Sequence, residues 1–80
     1  MNLSFSKKCL KFLARCEESK RTHIVEAIRK LPDKGDIKKL RGRAIKNTFR
    51  LRAGRYRIVF AWEGDEIKII KIDTRDDVYK

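Results

Sequence analysis

The sequence predicts an α+β fold: a small twisted antiparallel sheet, built from a short N-terminal strand and a C-terminal three-strand meander, with two N-terminal helices packed on one face. Three observations carry this. Residues 48–62, TFRLRAGRYRIVFAW, alternate apolar and basic side chains up to Arg52, break at Gly54-Arg55 and alternate again from Tyr56. Two stretches before them place apolar residues at helical spacing. The chain has 80 residues, which leaves room for one sheet and about two helices and none for a second domain.

Taken in order, Leu3 and Phe5 stand at strand spacing in a short first strand. Ser6 is a good N-cap for a helix over residues 7 to about 17, whose apolar stripe is Cys9, Phe12, Leu13 and Cys16 with Leu10 beside it. Ser19 is placed to cap a second helix to about Leu31, with Ile24, Ala27, Ile28 and Leu31 as its stripe, until Pro32 ends it. Neither stripe is buried by the other helix alone, so both must pack on the sheet. Residues 36–47, DIKKLRGRAIKN, read as a basic connection anchored by Ile37 and Leu40, with a bend at Gly42.

In the hairpin, glycine at the first central position suits a two-residue II′ turn, since glycine alone enters it without a steric penalty. The register then sets Ala53 opposite Tyr56, Arg52 opposite Arg57 and Arg50 opposite Val59. Phe49, Leu51, Tyr56, Ile58, Phe60 and Trp62 share one face, and Arg50, Arg52 and Arg57 the other. Opposed like charges destabilise a sheet, so this cluster calls for an anion, a carboxylate or a function. A second tight turn at Gly64-Asp65 leads into a strand over residues 67–72. Unbroken pairing there puts Ile70 beside Val59, Ile72 beside Arg57, and Thr74 on the arginine face, so that the tail runs toward the arginines.

The balance of 22 Lys and Arg against 11 acidic residues gives a formal net charge of +11. On so small a chain it implies a polyanionic partner: nucleic acid, an acidic protein or a membrane surface. No signal peptide or membrane span is evident. Cys9 and Cys16, seven apart on one helix, lie roughly 10 Å apart along its axis, too far to bridge. They form a poor metal site, and reduced cysteine in a cytoplasmic protein is the expectation, with no cofactor and no metal.

The ordered set of segments resembles the RelE/ParE toxin superfamily of bacterial and archaeal toxin–antitoxin systems. SFSKKCLKFLARC is similar to the family's opening strand and first helix, DIKKLRG to its Lys-Leu-x-Gly element, FRLRAGRYRIVF to its basic hairpin, and IKIIKIDTRDDVY to the last strand with its Arg-x-x-x-Tyr ending. The likeness spans nearly all of residues 1–80 as a single domain. It implies a helix-free sheet face that, in the RelE branch, receives messenger RNA in the ribosomal decoding site and cleaves it. In the ParE branch the same fold acts on DNA gyrase without nuclease residues. Both branches are neutralised by a cognate, largely acidic antitoxin.

Cleavage of this kind needs the 2′-OH to attack the adjacent phosphate, with cations to hold the added charge and groups to move protons. His23, the one histidine, lies in the second helix and reads as a surface or structural residue. Carried over by the resemblance, the catalytic positions are Arg50, Arg57, Arg75 and Tyr79: Arg57 on the scissile phosphate, Arg50 assisting phosphate binding or proton transfer, Arg75 on phosphate, and Tyr79 stacking on a base or shuttling a proton. Lys39, Arg43, Lys46 and Arg52 are the expected RNA-binding residues. Thr48 and Asp73 stand where RelE-type members often carry basic residues, and arginine is a poor general base. A plainer account pairs Arg57 and Arg75 with Asp73, Asp76 or Asp77 in a solvated ion network. The expected function is thus a ribosome-dependent messenger endoribonuclease toxin; the alternatives are a ParE-type gyrase toxin and a non-enzymatic small RNA-binding domain.

Overall fold

In the computed structural model, which describes residues 2–40 and 47–74, the chain runs β1 (Asn2–Phe5), α1 (Lys7–Arg15), α2 (Glu18–Arg29), β2 (Asp36–Lys39), β3 (Thr48–Ala53), β4 (Tyr56–Glu63) and β5 (Glu66–Thr74). The five strands form one sheet in the order β1-β5-β4-β3-β2. β1 pairs parallel with β5 and every other pair is antiparallel, so the sheet is mixed rather than purely antiparallel. The two helices carry the chain from β1 over one face to β2 at the far edge, and the following strands return it to β5 beside β1.

Ser6 caps α1 as expected, its hydroxyl accepting from the Cys9 amide. That helix ends two residues short of the expected boundary, at Arg15. The second begins earlier than expected, with Glu17 at its N-cap and Ser19 inside the first turn. Arg21 accounts for the short junction: its guanidinium donates to the Leu13 and Cys16 carbonyls at the end of α1, both at 2.8 Å, the first of which also accepts from the Cys16 amide.

Both helices lie on one sheet face. Cys9, Leu13, Ile24 and Ile28 meet Leu51, Ile58, Phe60, Ile67, Ile69 and Ile72 in a single core. Tyr56 and Trp62 pack at its margin rather than inside it. Tyr56 meets Phe12 edge-on at 6.2 Å, and the Trp62 indole N–H donates to the Gly64 carbonyl. Cys9 and Cys16 are both free, the first buried and the second half-buried. Among the described residues no helix is long and apolar enough to cross a membrane.

The basic connection contains a strand that the sequence reading omitted. Asp36–Lys39 pairs antiparallel with β3, Ile37 opposite Leu51. With three charged residues of four and only Ile37 half-buried, its side chains announce no strand; the open backbone edge of β3 makes one.

The β3–β4 hairpin has the expected register at every pair from Ala53–Tyr56 to Thr48–Ala61, and Gly54 takes φ +60°. The β4–β5 hairpin departs from expectation. Its turn does lie at Gly64-Asp65, but pairing slips beyond Phe60–Ile69: the next pair is Val59–Lys71, and Ile70 has no partner across the strand. This β-bulge flips everything after it. Ile72 sits opposite Ile58 in the core rather than beside Arg57. Thr74 falls opposite Tyr56 on the helix side, and Asp73 comes to the arginine side opposite Arg57. The bulged carbonyls are not left unpaired. Ile69 O accepts from the Ser6 amide at 2.9 Å and from the Cys9 thiol, and Ile70 O accepts from the Ser6 hydroxyl at 2.7 Å.

Candidate functional site

The face of the sheet away from the helices is formed by alternate residues of all five strands. In register across it run Asp36 and Lys38 of β2, Arg50 and Arg52 of β3, Arg57, Val59 and Ala61 of β4, and Lys68, Lys71 and Asp73 of β5, with Asn2 and Ser4 of β1 beyond. Charge on it is polarised. Arg52 faces Arg57, and Lys38 faces Arg50, at the end near the Gly54 turn. At the other end Glu63 faces Glu66. Six residues of extended strand separate Arg57 from Glu63, roughly 20 Å. An anion approaching this face is drawn to one end of it.

The three arginines differ in their surroundings. Arg52 is exposed. The Arg50 side chain keeps only 16% of its accessible surface; Nη2 lies 4.0 Å from an Asp36 carboxylate oxygen, and Nη1 is buried without a hydrogen-bond partner among the described residues. A buried donor left unmade costs about 1–3 kcal/mol, and such groups gather where a ligand completes the bonding. Arg57 is more open, at 39%, and its Nε and Nη2 donate to the two carboxylate oxygens of Asp73 at 3.3 and 3.2 Å. Lys71 Nζ approaches the same carboxylate at 3.4 Å. Val59 is buried between Arg50 and Lys71 in the register.

The arginine cluster read from the sequence is therefore a feature of the structure: Arg50, Arg52 and Arg57 share the helix-free face. The plainer account is also met at Arg57, which does pair with Asp73. Lys39 is not with them. Expected only as an RNA-binding residue, it sits opposite Phe49, on the face that carries the core, and Lys38 stands beside Arg50. Arg43, Lys46, Arg75 and Tyr79 lie outside the described residues. His23 is exposed on α2, close to the Gly54 turn on the helix side, and so is away from the arginines. Among the described residues no group of three His, Cys, Asp or Glu side chains is placed to hold a metal ion.

Sequence reasoning did not assign Lys38 or Lys71 to this face, and its register turned Asp73 to the helix side even though the plainer account named it as a partner of Arg57. Lys71 and Asp73 had a signal. Lys68 and Lys71 are three apart in a strand whose isoleucines stand at 67, 69, 70 and 72, a break in alternation that a regular strand cannot bury.

No protein-family model matches the chain, and no curated protein does either. Solved structures do. A chain of the RelB–RelE antitoxin–toxin complex from Methanococcus jannaschii is similar over 95% of this chain and 94% of its own, with 30% identity and a TM-score of 0.75. A chain of the archaeal RelE–RelB complex from Pyrococcus horikoshii matches over 92% and 93% at 24% identity and TM-score 0.71. The YoeB dimer from Staphylococcus aureus matches over 89% and 92% at 20% identity and TM-score 0.67. The last two share the fold; the first shares sequence as well.

Proposed function

We propose that this chain, which belongs to the RelE toxin superfamily, is the toxin of a type II toxin–antitoxin system and cleaves messenger RNA in the ribosomal decoding site. One observation supports this above the others: Arg50, Arg52 and Arg57 converge on a helix-free face where Arg50 Nη1 is buried with no hydrogen-bond partner among the described residues. Like charges held together beside such a donor are a costly arrangement for stability alone. A phosphodiester relieves both costs, because its oxygens accept the free guanidinium hydrogens and its charge offsets the repulsion.

In the reaction the 2′-OH oxygen attacks the adjacent phosphorus as the bond to the 5′-oxygen breaks, and negative charge builds on the phosphoryl oxygens. Arg57 and Arg50 act by holding that charge in a site already organised for it. Arg52 and Lys38 hold the neighbouring backbone. Arg75 and Tyr79 are assigned, by resemblance, to further phosphate contact and to the base or leaving group. Arginine stays protonated near neutrality, so the ribosome or Tyr79 has to take part in moving the proton.

The partner is an acidic antitoxin, as the excess of eleven positive charges and the antitoxin–toxin complexes among the similar structures suggest. Both targets place the protein in the cytoplasm.

Adding the purified chain to a translating extract and mapping new RNA 5′ ends tests the reading. Breaks confined to translated messages are the expected result. Gyrase-linked DNA breaks beside intact message would instead make it a ParE-type toxin, and neither effect would leave an RNA-binding domain.

A further inference from the structure

Asp73 is unused in this account, yet it touches its most important arginine. The carboxylate lies edge-on to Arg57, each oxygen taking one guanidinium hydrogen bond, with Lys71 Nζ as a third contact. This is the two-point geometry in which arginine binds a phosphate. Both side chains remain partly open, at 39% and 22%, so the pair can be exchanged from solvent. Asp73 reaches the spot only because Ile70 is bulged out, and Ser6 and Cys9 hold that bulge from the helix side.

We propose that Asp73 is a specificity-determining residue, a built-in stand-in for phosphate that RNA must displace from Arg57. The identity of the displacing ligand rests on the function proposed above; the competition itself does not. With Asp73 in place, an RNA that arrives by charge alone meets an arginine already engaged. An RNA held in position by other contacts, as message is in a decoding site, brings its phosphate at high local concentration and exchanges with the carboxylate. The device favours presented RNA over free RNA. Asp73 is a poor candidate for proton acceptor because both of its oxygens are taken up by cations.

The test uses the full chain and a mixed-sequence single-stranded oligoribonucleotide, with binding followed against salt for the wild type, Asp73→Asn, Arg57→Ala and the double variant. Asp73→Asn is expected to bind about two- to five-fold more tightly, the size of an exposed ion pair. Its plot of log K against log salt steepens by about 0.7, one further single-strand phosphate contact. In the Arg57→Ala background the same substitution changes both quantities much less. An unchanged slope, weaker binding, or an equal gain without Arg57 overturns the proposal; the last would show only a net-charge effect.

Should Asp73→Asn fail to fold, the wild type still decides. The Arg57 Nε–H resonance must leave its carboxylate-bonded position as oligoribonucleotide is added, and binding without that shift overturns the proposal. Absence of message cleavage by the wild type would defeat the activity reading and leave these binding results standing.

Discussion

The two hairpins of this protein share β4 and are built alike at their tips, yet they treat their side chains differently. Gly54 and Gly64 both open two-residue turns with φ near +60° (+60° and +57°). From the first tip, pairing runs unbroken for six residue pairs, and three arginines emerge on one face. From the second, pairing holds for four pairs and then slips by one residue at Ile70. The regular hairpin concentrates positive charge, and the irregular one delivers the carboxylate that answers it. A bulge is thus the means by which one strand buries Ile67, Ile69 and Ile72 and still presents Lys68, Lys71 and Asp73 on the other side.

Ile72→Asp attacks this contrast most directly. The slip at Ile70 sets Ile72 opposite Ile58 in the core, whereas unbroken pairing sets it on the open face beside Arg57. A loss of more than about 3 kcal/mol in denaturant unfolding is expected, the cost of removing a large core side chain and burying a charge. A loss below about 1 kcal/mol would mean that Ile72 faces solvent and that the slip is absent.

Next in size is Arg57→Ala, which is expected to reduce message cleavage about 100-fold, or about 2.7 kcal/mol of barrier, while unfolding changes little. Lys68→Ala, on the same face but toward the acidic end, is expected to change cleavage less than about two-fold. Equal effects at the two positions would remove the distinction between the ends of the face.

Ser6→Ala removes both the α1 cap and the donor to the Ile70 carbonyl. About 1–2 kcal/mol of stability is expected to go, as measured by thermal or denaturant unfolding. The smallest effects belong to the tips. Gly54→Ala and Gly64→Ala each force an L-residue to positive φ, for about 1 kcal/mol. The first should cost slightly more, because a Cβ there stands 3.2 Å from His23 Nε2, whereas at Gly64 nothing lies within 4 Å. Equal midpoints in parallel melts would show that His23 gives way.

These same elements show what could be read from the residues and why. The first hairpin was legible because its alternation is strict on both sides of a glycine, so turn, register and arginine face followed together. The second was misjudged at one place, where strict alternation was carried across the adjacent pair Ile69-Ile70. From that single step came the wrong face for Ile72, Asp73 and Thr74. β2 was illegible for a different reason. Asp36–Lys39 carries almost no apolar signal, and its strand state comes from the edge of β3, a tertiary cause that local pattern does not contain. Once β2 exists, its register decides which lysine faces the arginines, and that is Lys38 rather than the expected RNA-binding Lys39. The start of α2 moved for a local reason: Arg21 reaches back to the last carbonyls of α1, which favours a tight junction over the cap that Ser19 offers.

The hydroxyl of Ser6 has a reach out of proportion to its size. It terminates one helix and, through a single main-chain oxygen on the last strand, keeps Ile70 displaced; the first turn of α1 and the position of Asp73 therefore open and close as one cooperative unit. Amide exchange at Cys9 and around Ile70 should accordingly share one rate of opening. A ligand that unwinds that turn releases Asp73 from Arg57 from behind, through the thickness of the sheet, without touching a guanidinium.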